Sequence, residues 1–460
     1  MTRGRPPLPS ATVVVAALLG VALSAVEVAA QSAYVLVAGR RLPYLYAISL
    51  EAALDPTNDG TSNAIIGRSK VALDRLDGRP LGDPANLAVS EDGRTVYVIN
   101  HHGAIDNAEF TQHGGRGTVA VLDVDEVLDP RNDGTANALV RHMDTGGFGA
   151  LGVVLLPDML VLGNAESHLT EDGGNRITFI DRRTGSLRHT VELALGSRGS
   201  GCPDYPVPYV APYGPPRDLA VLSPDPSWGC FPDPNGLALG RAGDGREYVF
   251  SANGGTGDVS VIDLARALEG DPRAEIARLA LQVGPWGITA TPDRRHVIVA
   301  NGGSQRERRS GNVLSIVDVD RARTGSADAE VARVLVGTDD PEEQTHPLIP
   351  SVTPDGREVI VPNIRTDNVS IVDLAMALSG NTDAEVARIP LTRADGRTAR
   401  PKGSAITSDG RYAVISAGPR SEPLSLEPGH VYVIDLRSRR VVATVTGVGN
   451  DPYGVALVYR

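Results

Sequence analysis

The chain has 460 residues, with 44 Lys and Arg against 56 Asp and Glu, a formal net charge of −12, nine histidines and two cysteines. A diffuse acidic balance argues against nucleic acid and anionic membrane surfaces as partners. Length alone suggests two or three domains, but an internal repeat overrides that prior and points to one.

In chain order, the first element is a leader. Arg3 and Arg5 precede an apolar run from Ala11 to Val26, and Val28, Ala29 and Ala30 give the small-residue pattern of a secretory signal peptide cut before Gln31. The run is short for a bilayer span, which needs about 20 residues. Residues 1–30 are therefore expected to be a signal peptide. Residues 31–460 are expected to be one soluble exported domain, secreted or periplasmic, with no membrane span after cleavage. An uncleaved N-terminal anchor is the alternative.

Three strand-like segments follow: "YVLVAG", "YLYAISL" and "SKVALDR". Between the last two lies "DPTNDGTSNA", matched by "DPRNDGTANA" from residue 129, each with the Asp-x-x-x-Asp-Gly outline of a calcium loop. Arg131 stands where an oxygen ligand is needed, and no Glu follows at the twelfth place, so turn formation is the better reading.

From Pro84 onward one pattern recurs: Pro-x-Gly, an apolar strand, an Asp-Gly type turn, a second strand ending in Asn, a loop, a third strand ending in Asp, and a fourth strand. Its clearest copy is "PWGITATPDRRHVIVANGG…GNVLSIVDV", residues 285–319, followed by "AEVARVLV". Four short strands per unit of roughly 40–50 residues are the mark of propeller blades, which bury their faces only against their neighbours. Six copies are complete. The seventh is split, its first strand being the C-terminal "PYGVALVY" and the others the three N-terminal segments. The expected fold is all-β: a seven-bladed β-propeller of four-stranded blades, closed by pairing the C-terminal strand with the N-terminal ones.

The second strands end as "YVIN", "VLGN", "FSAN", "IVAN" and "IVPN", at Asn100, Asn164, Asn253, Asn301 and Asn363. In this the chain resembles the YVTN-repeat β-propellers over nearly all of residues 33–460. The resemblance implies the fold. It leaves the activity open among surface proteins, lactonase-like enzymes and cofactor-bearing redox proteins.

Tight first-to-second turns leave the long loops on the other rim, where function concentrates. "NHHGAIDNAEFTQHGG", residues 100–115, brings His101, His102 and His113 there, and the next repeat adds His168. An insertion at about 196–234 holds Tyr205, Tyr209, Tyr213, Trp228 and Phe231. Cys202 and Cys230, the only cysteines, are expected to pin it as a disulfide in an oxidising compartment. Aligning the Pro-x-Gly starts places Asp83, Asp233, His346, Arg400 and Asp451 at one depth near the channel mouth, with Trp286, Lys402 and Tyr453 in the following slot.

Three functions fit these residues. The first is a monomeric binding scaffold whose histidine- and aromatic-rich rim takes a protein or small-molecule ligand. The second is a hydrolytic or oxidative enzyme holding a divalent transition metal on His101, His102, His113, His168 or His346, with Asp339, Asp340, Glu342 and Glu343 near the last. The third is a lactonase-like hydrolase. No phosphate-binding glycine loop, dinucleotide fingerprint, nucleophile elbow or haem-attachment motif is present.

Overall fold

Aromatic residues make up only 4% of the chain, so Val, Ile and Ala fill the strands and the sheets stack closely. The computed structural model describes Met1 and residues 31–40, 42–71, 83–101, 116–168, 172–194, 232–282, 284–303, 311–418 and 428–460, with backbone alone at 116, 166–168, 172 and 173. Six antiparallel sheets are present among these residues. In one, strands Ala33–Ala38, Tyr44–Ser49 and Ile65–Lys70 are completed by the C-terminal strand Val455–Tyr459, which pairs with Ala33–Ala38. The expected union of the two ends of the sequence is therefore present.

Four further sheets repeat the four-stranded meander, starting at Pro234–Arg241, Pro285–Ala290, Ser351–Val352 and Pro401–Ile406. Ser351–Val352 is short because Pro347 and Pro350 remove two ladder donors. The sixth sheet is larger. The sequence suggests a break between "ALVRHM" and "ALGVVL", yet Leu139–Leu155 runs as one strand and joins everything from Pro84–Val89 to Leu187–Glu192. No proline interrupts this stretch; Gly146 and Gly149, at φ +77° and +64°, turn the strand instead.

The inner strands touch in sequence and return to their start. Gly454 N donates to Ala85 O (3.0 Å), Asn86 Nδ2 to Leu151 O (3.0 Å) and Ile349 N to Lys402 O (3.0 Å). A glycine at the third position of the inner strand, in Pro-x-Gly or in the Ala-Leu-Gly of residues 150–152, is required at the other contacts. A Cβ would fall 2.8 Å from Leu237 at Gly152, 2.6 Å from Trp286 O at Gly236, 1.9 Å from Leu348 O at Gly287 and 2.0 Å from Tyr453 O at Gly403. Adjacent sheets share their cores: Ala238, Phe250 and Val261 pack with Ile288, Val297 and Val299, and Val35, Val37 and Tyr46 with Val414, Val431 and Val433.

The recurrent Asn is a staple. Asn100, Asn164, Asn253, Asn301 and Asn363 are fully buried, and their Nδ2 atoms donate to Thr118, Thr178, Ser260, Ser315 and Ser370 on the third strand at 2.8–3.1 Å. The Asp that ends several third strands is a helix cap. Asp123, Asp263, Asp318 and Asp373 begin the helices Val124–Val127, Leu264–Leu268, Val319–Ala322 and Leu374–Leu378, each side chain accepting from first-turn amides. These helices are too short for hydrophobic periodicity to announce them. The two calcium-like segments are turns that clasp neighbours: Arg68 N donates to Asp133 Oδ1 (2.9 Å) and Thr444 N to Asp59 Oδ1 (2.8 Å). Among the described residues no helix is long and apolar enough to cross a membrane.

Candidate functional site

Each inner strand begins at the residue before its proline, and the end of the second strand holds that residue in place. His101 N donates to Asp83 O (2.8 Å), Gly254 N to Asp233 O (3.0 Å), Ile364 N to His346 O (3.1 Å) and Gly418 N to Arg400 O (3.4 Å). Asp233, His346 and Arg400 adopt left-handed φ values of +56°, +54° and +54°. Such backbone costs a non-glycine residue about 1–3 kcal/mol and survives only where its surroundings impose it. Gly149 and Gly284 fill the same slot at +64° and +54°.

Asp83, Asp233, Trp286, His346 and Arg400 all keep part of their surface exposed. Lys402, Asp451 and Tyr453 are buried. Lys402 Nζ lies 2.5 Å from Asp451 Oδ1 and donates to Gly418 O (2.5 Å). Arg40, which the sequence did not single out, lies 3.3 Å from Asp83. Both cations flank the Tyr453 ring, Arg40 Cζ at 4.3 Å and Lys402 Nζ at 5.5 Å from its centroid. Burial alone would lower the Arg40 pKa, but Asp83, Tyr453 and Asp451 outweigh it and hold it raised.

Asp233 and His346 differ from these paired groups. Burial pushes the Asp233 carboxyl up to about 7, with the neighbouring Asn235 amide opposing in part. Burial, aided by Arg365 and Lys402, pushes the His346 imidazole down to about 4. Both are hemmed in by protein yet partly reachable by water, as groups in a concave site are. Trp286 sits beside His346, their ring centroids 6.5 Å apart. Below this rim lies a cavity of about 160 Å³ that shares Asn235 and Trp286 with it.

Of the metal candidates, only His101 and His346 have described side chains. His102 and His113 lie outside the described residues, as do Trp228, Cys202 and Cys230, and His168 is described by backbone alone. His101 is buried beside Asp83. Three of the four carboxylates near His346 in sequence have other partners: Asp339 accepts from Arg388 (3.0 Å), Asp340 from Glu342 N (2.9 Å), and Glu343 from Thr338. Among the described residues no three His, Cys, Asp or Glu side chains are placed to hold a metal ion.

Arg40 and Asn235 escaped the sequence reading because neither occupies the pre-proline slot. Arg40 has a signal in hindsight: it follows "LVAG", the end of a second strand, where another repeat carries His101.

The fold and this mouth define a β-propeller with an ionisable rim over an axial cavity. No protein-family model matches the chain, and comparison with characterised proteins finds no match. Solved structures share the fold. The periplasmic gluconolactonase of Pseudomonas aeruginosa is 14% identical, with a TM-score of 0.57 over 93% of this chain and 99% of that one. A Bacteroides fragilis protein provisionally assigned as a 6-phosphogluconolactonase is 14% identical, with a TM-score of 0.56 over 94% and 99%. A functionally unknown protein from Desulfotomaculum acetoxidans is 15% identical, with a TM-score of 0.54 over 92% and 98%. Identities this low establish the fold alone.

Proposed function

We propose that this chain is an exported, seven-bladed propeller of the YVTN type that hydrolyses a lactone at the mouth of its axis. The count of seven treats the larger sheet as two blades merged through Leu139–Leu155. Export rests on the leader, and the periplasmic gluconolactonase of the same fold is consistent with it.

Asp233 is the observation that carries the reaction. A carboxyl titrating at about 7 in a partly exposed, strained position is suited to general base catalysis at neutral pH. In the proposed step its carboxylate takes a proton from water as the water oxygen adds to the lactone carbonyl. Collapse breaks the ring C–O bond, and Asp233 returns the proton to the departing alkoxide, leaving a hydroxy acid. His346, neutral at pH 7, and Trp286 form a wall for the ring without adding charge.

Proton release from a panel of γ- and δ-lactones tests this. Asp233→Asn should lower kcat/KM by about 10²- to 10⁴-fold, the range for loss of a general base, while the protein stays folded. Equal rates in the two proteins would overturn the assignment. Binding without turnover would favour the scaffold reading instead.

A further inference from the structure

The cavity below the rim differs in chemistry from the rim itself. It is lined by Leu87, Leu151, Val153, Leu237, Ile288 and Ile349, with Ala88, Gly236 and Gly287 between them. Among the described residues no charged side chain lines it. Two amides do, and one is occupied: Asn86 Nδ2 donates to Leu151 O (3.0 Å) and Asn86 Oδ1 accepts from Leu87 N (2.9 Å). The other, Asn235, stands at the upper end, two residues beyond Asp233, and its amide is engaged with the Asp233 carboxyl. The lining residues follow the rim residues by two to five positions, which at about 3.3 Å per residue puts the cavity roughly 7–16 Å down the axis.

Apart from the two amides its side chains are apolar, so an alkyl chain laid against them would gain by leaving solvent. Resting on the hydrolase reading above, we infer that the preferred substrate is a lactone bearing a short aliphatic substituent, its ring at the Asp233 rim and its tail in the axial cavity. Trp286 lines the cavity and lies beside His346 of the rim, so its indole gives the first methylenes an apolar surface at the join.

The test is a homologous series: γ-butyrolactone, γ-hexalactone, γ-octalactone and γ-decalactone, with glucono-δ-lactone as the hydroxylated comparison. The expected result is a rise in kcat/KM of about three- to fourfold per buried methylene until the cavity is full, with glucono-δ-lactone below the alkyl members. Ala88→Phe, which fills the cavity away from the rim, should abolish that gain and leave γ-butyrolactone within about twofold of wild type; Val153→Phe serves as the second filling variant if the first fails to fold. A flat series, a preference for glucono-δ-lactone, or a gain that survives both filled cavities would overturn the tail assignment and leave the hydrolase reading standing. If no lactone is hydrolysed, the hydrolase reading fails, and calorimetric binding of the corresponding γ-alkyl lactams decides the cavity separately. Affinity rising with chain length and lost on filling would uphold an aliphatic site. Affinity independent of chain length would reject it.

Discussion

Asp233 combines a left-handed backbone with a carboxyl that burial shifts from its ordinary 3.8 to about 7. The folded protein then binds a proton that the unfolded chain has released between those values, so stability falls as pH rises from about 4 to about 7 and the full cost is present above it. His346 acts with the opposite sign. Its imidazole moves from 6.5 to about 4, so its contribution is present above 6.5 and is lost as pH falls towards 4. Over their shared window the two slopes offset one another. Asp233→Asn, which tolerates the left-handed backbone, should raise Tm by a few degrees at pH 8 and by less as pH approaches 4. His346→Asn should flatten the acid-side loss between pH 6.5 and 4. Melting curves across pH check both, and an Asp233→Asn protein no more stable than wild type at pH 8 would contradict the burial of this carboxyl. The pre-proline slot that holds both residues was legible because it recurs with the repeat. Their unusual titration was not, since burial arises only when the inner strands meet.

Within a blade, polar side chains stitch the strands in a chain that the repeat spells out. Asn301 Nδ2 donates to Ser315 Oγ (2.9 Å), Ser315 Oγ to Glu330 Oε1 (2.6 Å) and Arg333 Nε to Glu330 Oε1 (2.9 Å). Asn253, Ser260, Glu275 and Arg278 repeat it in the preceding sheet. Asn301→Ala should cost about 1–3 kcal/mol, because it leaves buried partners unsatisfied. Urea midpoints for Asn301→Ala, Ser315→Ala and the pair should show coupling, and simple additivity would argue against the staple. The Asp-Gly turns were equally readable: Ser90, Thr353 and Thr407 donate at 2.6 Å to Asp92, Asp355 and Asp409, and Gly93, Gly356 and Gly410 take φ of +70° to +73°. What stayed hidden were the Asp-capped helices of four or five residues and the merged strand, since both depend on short-range details that a periodic pattern averages away.

Across the whole molecule, the closing sheet is tied to both neighbours by charge as well as by strand pairing. Lys402 and Asp451 join it to the preceding sheet, Arg40 and Asp83 to the following one, and Tyr453 receives both cations on its ring. Removing one partner of a buried pair strands the other, so Asp451→Asn should destabilise by about 3–5 kcal/mol. Deleting residues 451–460 removes the paired strand as well and should lead to aggregation or a large loss of thermal stability. A truncated protein that melts like the full chain would refute closure through the C-terminal strand. The same closure brings Asp451, Tyr453 and Arg40 to the rim, so the site depends on the union of the chain's ends. The most direct test of that rim as a hydrolytic site is the pH profile of kcat/KM for an alkyl γ-lactone. A limb that rises through about pH 7 and disappears in Asp233→Asn is expected; a wild-type profile without that limb, or one that Asp233→Asn leaves unchanged, would contradict it.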